Sequence, residues 1–358
     1  MRIAQVSPLF ESVPPAYYGG TERVVSYLTE ELAALGHEVT LFASGDSHTS
    51  ARLVPGSPKA LRLHPIFSDP AVPHLLMYER LSRMAREFDI VHFHADWAGF
   101  TFARRLPVPS IFTMHGRLDL PDLPPLFREY ADVPLISISN AQRRPLDWAN
   151  WAGTVYHGIP EHLYRFHAGP GRYLAFCGRI SPEKRLDLAI RIAQTAGIEL
   201  VIAAKVDKLD RDYFEHVIKP LLGSPGIRFI GEIGDHEKND LFSNAAALLF
   251  PIDWPEPFGL VMIEAMACGT PVIAFPRGSV PEVVEHGLTG FIVDSVEQAV
   301  EAVGRLRTFD RRRCRERFEQ RFSARRMAED YLNVYRRFMP RIPQERTAAW
   351  GRSFAWRR

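Results

Sequence analysis

Residues 251–267 read PIDWPEPFGLVMIEAMA and follow an apolar run that ends at Phe250. This pattern predicts a buried strand, a Pro-rich turn and a helix. Glu256 lies in the turn, and Glu264 comes eight positions later, about two turns into an otherwise apolar helix. Because an unpaired buried carboxylate is costly, Glu264 needs a hydrogen-bond donor, such as a sugar or ribose hydroxyl. The alternative is that Glu264 pairs with a core arginine and Glu256 is a surface residue.

Apolar runs of strand length alternate with helical periodicity along the rest of the chain. Strands are predicted over 3–7, 39–43, 90–94, 110–115, 135–139, 154–156, 173–177, 200–203, 228–230, 247–250, 272–275 and 291–293. Continuous apolar strands separated by helices are typical of parallel sheets covered on both faces. The Pro/Gly-rich residues 160–171 divide the strands into two series. We therefore expect an α/β fold of two doubly wound, Rossmann-like domains that face each other across a cleft.

The predicted domains are an N-terminal one over 1–165 and a C-terminal one over 166–323. Helices are predicted over 20–36, 72–87, 182–195 and 324–338. Residues 324–340 are expected to form the last helical element, and the polar residues 341–358 a mobile basic tail. Ligands of doubly wound sheets bind beyond the carboxyl ends of the strands, so site residues are sought in the loops that follow strands.

The composition excludes several classes of protein. Of 358 residues 46% are hydrophobic, and 44 Lys+Arg balance 42 Asp+Glu, which excludes wholesale disorder and gives no argument for a nucleic-acid partner. Three cysteines without a CxxC pair exclude a disulfide scaffold and a tetrahedral zinc site and predict a reducing compartment. No apolar run reaches the roughly 18 residues that span a membrane, so we expect a cytoplasmic protein.

Residues 301–358 carry a large excess of positive charge, with 17 Arg against 7 Asp+Glu. One interpretation is a solvated helical face followed by the basic tail. The other is a basic surface that contacts anionic lipid headgroups at the inner face of the membrane.

Two loops contain residues suited to bind phosphate. Gly19 and Gly20 open the helix after the first strand, where backbone N–H groups attract an anion, although neither a GxGxxG pattern nor a P-loop lysine is present. A glycine-rich turn capped near Thr21 is the structural alternative. Arg179 and Lys184 flank the next candidate helix start, where cations oppose the helix dipole unless an anion lies between them. A diphosphate would satisfy both, and an exposed charged helix start is the alternative.

Other candidates follow from histidines and aspartates. His115 ends a predicted strand. His92 and His94 share one face of another strand and could indicate the metal site of a hydrolase, but no third ligand is evident at a suitable spacing. Asp210 and Asp212 form a DxD pattern at a predicted helix start, where capping is favoured over metal binding.

The segment from Glu256 to Glu264 resembles the E-x7-E motif of the retaining GT-B glycosyltransferases of family 4. The two phosphate loops and residues 269–272 come in the order that this family shows, and the similarity extends to about Phe338. The resemblance implies a GT-B fold in which the C-terminal domain holds a nucleoside-diphosphate sugar. It also implies that the final helix crosses back to the first domain.

The resemblance assigns roles to individual residues. Arg179 and Lys184 would neutralise the diphosphate in place of a metal, so no metal cofactor is expected. Glu256 would bind hydroxyls of the donor sugar and Glu264 those of the ribose, while His115 would bind the sugar near its reacting carbon. His94 would lie nearer the acceptor. The other predicted donor-binding residues are Gly19, Gly20, Phe258, Gly259 and Leu260.

The resemblance implies transfer of a hexosyl group from a UDP- or GDP-sugar to an acceptor hydroxyl, with retention of anomeric configuration. No dedicated carboxylate nucleophile is apparent, so attack on the same face, assisted by the leaving phosphate, is favoured. The acceptor stays open between a saccharide, a lipid and a small molecule, as does the oligomeric state. A sugar-nucleotide 2-epimerase of the same fold and a non-catalytic sugar-nucleotide-binding protein are the alternatives.

Overall fold

The computed structural model describes residues 1–16, 19–62 and 68–339. Within them the first sheet has seven parallel strands in the order β3-β2-β1-β4-β5-β6-β7. These strands are β1 (Arg2–Val6), β2 (Glu38–Ser44), β3 (Arg52–Ser57), β4 (Ile90–Phe93), β5 (Ser110–Thr113), β6 (Leu135–Ser137) and β7 (Trp151–Thr154). The central position of β1, with chain crossing to either side of it, is the topology of a doubly wound domain.

The second sheet has six parallel strands among the described residues, in the order β10-β9-β8-β11-β12-β13. They are β8 (Tyr173–Ile180), β9 (Leu200–Val206), β10 (Ile227–Gly231), β11 (Ala245–Phe250), β12 (Val272–Ala274) and β13 (Gly290–Ile292). Its first strand is again central, so the predicted pair of Rossmann-like domains is confirmed.

Helices follow most strands and bury the apolar residues of both sheet faces. They are α1 (Gly20–Ala34), α2 (Ala71–Met84), α3 (Phe100–Ala103), α4 (Leu123–Glu129), α5 (Asn140–Arg143), α6 (Leu186–Ala196), α7 (Arg211–Tyr213), α8 (Lys219–Leu222), α9 (Asp235–Asn244), α10 (Leu260–Ala267), α11 (Val280–Val283), α12 (Val296–Gly304), α13 (Arg311–Arg321) and α14 (Ala324–Phe338). Consecutive strand residues enter different cores: Ile90 packs with α1 and α14, and Val91 packs with α2. None of the described helices is long and apolar enough to cross a membrane.

Three local predictions were wrong. The polar strand β3 was not predicted; it pairs with β2 at the edge of the sheet, where only part of a strand is buried. The strand predicted over 154–156 is instead β7, which ends at Thr154. The helix predicted over 182–195 begins only at Leu186, because Arg185 adopts a left-handed conformation with φ of 52° and ends a preceding 3-10 turn.

The final helix crosses from the second domain to the first, as expected. The Ser323 side chain caps α14 by accepting a hydrogen bond from the backbone N–H of Arg326. At the other end, Arg337 donates to the carbonyl of Ala152 in β7 at 2.8 Å. Tyr331 and Tyr335 on the face between them are fully buried. The helix therefore joins the two cores as well as the two domains.

Several arginines of residues 301–339 are bound to backbone carbonyls and do not form a free basic face. Arg311 is 7% exposed and donates to three carbonyls and to the hydroxyl of Thr270, at 2.6–3.2 Å. Arg315 donates to three carbonyls of the interdomain linker and α10 at 2.9–3.0 Å. Arg326 donates to two more at 2.8 and 2.9 Å. The predicted tail over 341–358 lies outside the described residues, and contact with a membrane stays a prediction.

Replacing Arg311 by methionine should lower the free energy of unfolding by about 3 kcal/mol, because four acceptors, in two buried and two partly buried hydrogen bonds, would lose a charged donor. Urea denaturation of the two proteins measures this difference. Arg312→Met, at an exposed neighbour on the same helix, is the matched control and should change stability by less than about 0.5 kcal/mol. Equal effects of the two substitutions would contradict the role given to Arg311.

Candidate active site

All ten residues predicted to bind the donor line one cavity of about 860 Å³ between the two domains. The first domain contributes Gly19, Gly20 and His115, and the second contributes the other seven. The carboxyl ends of the parallel strands open into this cavity, which is where doubly wound sheets bind ligands. Sequence reasoning therefore located the cleft, while the role of each residue stays a prediction.

Glu256 and Lys184 form a buried ion pair on the floor of the cavity. Glu256 is 8% exposed, which contradicts the surface alternative. Its Oε2 accepts from Nζ of Lys184 and, at 3.1 Å, from Nε1 of Trp254. The Lys184 ammonium lies 4.9 Å from the centre of the Trp254 ring. Lys184 and Glu256 thus satisfy each other's charge.

Arg179 is balanced by two carboxylates. Its guanidinium donates to Glu183 at 2.5 Å and lies 3.3 Å from Oδ2 of Asp210. The Asp210 side chain makes no capping hydrogen bond to α7, so the predicted capping role was wrong for this residue. Because Arg179 is about one-third exposed, it can exchange these partners for an anion in the cavity.

The first turns of α1 and α10 oppose each other across the cavity. A Cβ atom placed on Gly20 would lie 3.8 Å from Cδ1 of Leu260, the first residue of α10. Gly259 caps α10 in a left-handed conformation with φ of 81°, which glycine adopts without strain. The first N–H groups of a helix have no partner within it, and both helix dipoles present their positive ends here. This arrangement suits a ligand with negative charge.

Glu264 is paired with a lysine that the sequence did not single out. Nζ of Lys238 lies 3.0 and 3.1 Å from the two carboxylate oxygens of Glu264, which is 2% exposed. Lys238 is also 3.8 Å from Asp235, which pairs with Arg23 of α1. The direct partner of Glu264 is therefore a lysine, although the buried Arg23 also interacts electrostatically with this carboxylate, and a chain of alternating charges links the two domains beside the cavity.

Two stacked histidines, His115 and His157, lie on the first-domain wall of the cavity. His115 is stacked on His157, with ring centres 5.3 Å apart, and His157 in turn contacts Phe258 edge to face. Burial lowers the pKa of His115 to about 3 and that of His157 well below its usual value. Both rings are therefore neutral at pH 7. His157 received no role from the sequence because its segment departs from the pattern of the resembled family.

Asp96 is a second cavity residue that was missed. It is a non-glycine residue with positive φ, 45°, and its Oδ1 accepts from the backbone N–H of His115 at 3.3 Å. Burial raises the pKa of the Asp96 carboxyl. A backbone conformation of this kind is not visible in residue patterns.

His92 and His94 do not form a metal site with other described residues. His92 is bound to the hydroxyls of Tyr335 and Thr113 at 2.6 and 2.7 Å. His94 is bound to His115 and Gln5 at 2.9 and 2.7 Å. No group of three or more His, Cys, Asp or Glu residues in the described part of the chain is arranged to hold a metal ion.

Replacing Lys238 by methionine should lower the free energy of unfolding by about 3 kcal/mol, because the buried Glu264 carboxylate would lose its cation. Urea denaturation gives the measurement. Lys208→Met, at an exposed lysine of the same domain, should leave stability within about 0.5 kcal/mol of the unmodified protein. A loss no larger than that of the control would show that Lys238 does not stabilise Glu264.

Comparison with known proteins gives consistent results for both domains. The model for glycosyl transferases group 1 matches residues 166–321, and the model for glycosyltransferase family 4 matches residues 18–175. D-inositol 3-phosphate glycosyltransferase of Streptomyces scabiei is 26% identical over 79% of this chain and 77% of its own.

Two solved structures share the fold. AviGT4, a glycosyltransferase involved in avilamycin A biosynthesis, has a TM-score of 0.72 at 23% identity, covering 94% of this chain and 97% of its own. HepE of Anabaena, in complex with UDP-glucose, has a TM-score of 0.70 at 17% identity, covering 94% of this chain and all of its own. The two family models overlap at residues 166–175 and together cover residues 18–321, so the chain belongs to the GT-B glycosyltransferases of family 4.

Proposed function

We propose that the protein transfers a sugar from a nucleoside-diphosphate sugar, UDP- or GDP-linked, to an acceptor hydroxyl without a metal ion and with retention of anomeric configuration. The observation that carries this proposal is the opposed positive ends of α1 and α10 in a cavity that also holds Arg179 and Lys184. These groups match the charge of a diphosphate.

The leaving diphosphate gains negative charge as the bond to the sugar breaks. Lys184, Arg179 and the N–H groups of the two helices are already in place where that charge develops, so little reorganisation is needed during the reaction. The cations and helix termini would do the work that a divalent metal does in other transferases. Metal independence is therefore part of the proposal.

The sugar and the ribose would be held by the two buried carboxylates. Glu256 is the acceptor nearest Lys184, so a sugar attached to a diphosphate at Lys184 would bring its hydroxyls to Glu256. Glu264 lies in α10, which follows the turn that contains Glu256, and it is bound to Lys238. Its carboxylate suits the ribose hydroxyls. The complex of HepE with UDP-glucose, in the same fold, supports a uridine nucleotide as the donor.

Retention is proposed to follow from attack on the same face of the sugar that the diphosphate leaves. The acceptor oxygen forms the new bond to the anomeric carbon, the bond to the diphosphate breaks, and the acceptor proton passes to the leaving phosphate oxygen. In this step no carboxylate acts as a nucleophile, and Glu256 and Glu264 remain hydrogen-bonded to their lysines or to hydroxyls of the donor. The sugar passes through a state with oxocarbenium character.

Substituting Lys184 by alanine should lower kcat about a hundredfold, since about 3 kcal/mol of stabilisation of the leaving diphosphate is lost. Release of nucleoside diphosphate from UDP-, GDP- and ADP-sugars in the presence of EDTA measures this effect. Until an acceptor is known, the slow hydrolysis of the sugar nucleotide by water is the reaction that is measured.

Lys208→Ala, at an exposed lysine outside the cavity, is the control and should retain full activity. Turnover that disappears with EDTA, or a Lys184→Ala protein as active as the control, would contradict the proposed mechanism. Turnover of a sugar nucleotide to its epimer without release of diphosphate would favour the epimerase alternative.

A further inference from the structure

A chain of buried polar side chains leads from His115 in the cavity to the crossover helix α14. Nε2 of His115 lies 2.9 Å from Nδ1 of His94, and Nε2 of His94 lies 2.7 Å from Oε1 of Gln5. Nε2 of Gln5 donates to the hydroxyl of Tyr335 at 3.1 Å. Gln5, His94 and Tyr335 are at most 1% exposed, so bulk water does not compete for these bonds.

The amide of Gln5 determines which nitrogens carry protons. An amide oxygen can only accept, so Nε2 of His94 must carry the proton of that ring. Burial holds the pKa of His94 well below its usual range, and a neutral imidazole has one N–H. Nδ1 of His94 is therefore an acceptor, and Nε2 of His115 is the N–H that donates to it.

This assignment leaves Nδ1 of His115 without a proton. That atom is buried and has no hydrogen-bond partner among the described residues, while His115 itself lines the cavity. A bare ring nitrogen accepts a hydrogen bond from a hydroxyl and repels a group that has only lone pairs. Nδ1 is thus suited to a ligand with an O–H directed at it.

The series of hydrogen bonds continues beyond Tyr335, and the direction of each bond in it depends on the orientation of the Gln5 amide. The Tyr335 hydroxyl lies 2.6 Å from Nδ1 of His92, and Nε2 of His92 lies 2.7 Å from the hydroxyl of Thr113. The Thr113 hydroxyl is 3.0 Å from that of Tyr331. Reversing the Gln5 amide would reverse every donor along this path and put a proton on Nδ1 of His115.

We propose that Gln5 and His94 are positioning residues for sugar transfer: they hold His115 in the tautomer protonated at Nε2, so that its Nδ1 accepts from one hydroxyl of the donor sugar. Tyr335 of α14 accepts a hydrogen bond from the other end of the Gln5 amide, which connects the crossover helix to the site. This inference rests on the proposed function, because it identifies the sugar of the nucleotide donor as the group that meets Nδ1.

The tautomer can be measured without any substrate. Nitrogen-15 spectra of the full chain labelled at histidine distinguish protonated from unprotonated ring nitrogens, and the signals of His115 are identified by their absence in His115→Gln. The expected result is a protonated Nε2 and an unprotonated Nδ1. The reverse pattern, or a mixture that exchanges between the two, would overturn the inference.

Kinetics test whether the chain of bonds affects the reaction. Gln5→Met and Tyr335→Phe should each lower kcat/KM for the donor about tenfold and let the His115 ring populate both tautomers in the nitrogen-15 spectrum. Tyr331→Phe is the matched control, because it removes an equally buried hydroxyl from the same helix, but one that bonds to Thr113 and not to Gln5. It should keep kcat/KM within about twofold and leave the His115 spectrum unchanged.

Two further outcomes separate this inference from the proposed function. Transfer of sugar by a protein whose His115 is protonated at Nδ1 would overturn the inference alone. A protonated Nε2 in a protein that neither transfers nor hydrolyses any sugar nucleotide would overturn the proposed function and, with it, the role given to Nδ1. Equal losses in Tyr331→Phe and Tyr335→Phe would show that the effect on kcat/KM is one of general packing.

Discussion

Two buried lysine–carboxylate pairs balance the charge inside the cleft, and the geometry of the site depends on them. Lys184 holds Glu256, and Lys238 holds Glu264, in a region where a lone charge would be costly. A sugar nucleotide has a dianionic diphosphate that can pair with the lysines, and hydroxyl groups that can donate hydrogen bonds to the carboxylates. Partners can therefore be exchanged on binding with no buried charge left uncompensated, since each lysine and each carboxylate has a counterpart on the sugar nucleotide.

The same site depends on contacts that join the two domains. Arg23 of α1 pairs with Asp235 of α9, so the helix whose first turn lines the cavity in one domain is bound to the helix that carries Lys238 in the other. On the opposite side of the cleft, the Glu282 carboxylate accepts from the first N–H groups of α5 at 2.7 and 2.8 Å. The crossover helix adds a third connection through Tyr335. The first of these connections includes two residues of the cavity, Arg23 and Lys238.

The sequence predicted those parts of the protein that are recorded in local patterns. Alternating apolar runs gave both parallel sheets, and the segment from Glu256 to Glu264 gave the family and the position of the cleft. Prediction failed where the structure depends on contacts distant in the chain. Lys238 lies on a mostly polar helix, 26 residues from its partner Glu264, and no periodicity distinguishes it from a solvated lysine. Gln5 and Tyr335 are 330 residues apart, and only the folded chain brings them together.

Local backbone conformation could not be predicted from the sequence either. The left-handed conformation of Arg185 delays the start of α6 and leaves Lys184 in a 3-10 turn, where it faces Glu256 instead of entering the helix. From the sequence, the arginines of α13 and α14 could be interpreted only as an excess of positive charge. In the structure, Arg311 and Arg326 bind backbone carbonyls. Charge counts do not reveal whether a guanidinium faces solvent or satisfies buried oxygens, because its long stem allows either.

The central claim is that the opposed helix ends and the lysine–carboxylate pairs form a metal-free site for a nucleoside diphosphate. Titration calorimetry of the purified protein with UDP, GDP and ADP and their sugars, in buffer containing EDTA, tests it most directly. The account predicts saturable binding of one nucleotide series with a stoichiometry of about one, and weaker binding by Lys184→Ala than by Lys208→Ala. Folded protein that binds no member of the series, or binds only after a divalent metal is added, would contradict it.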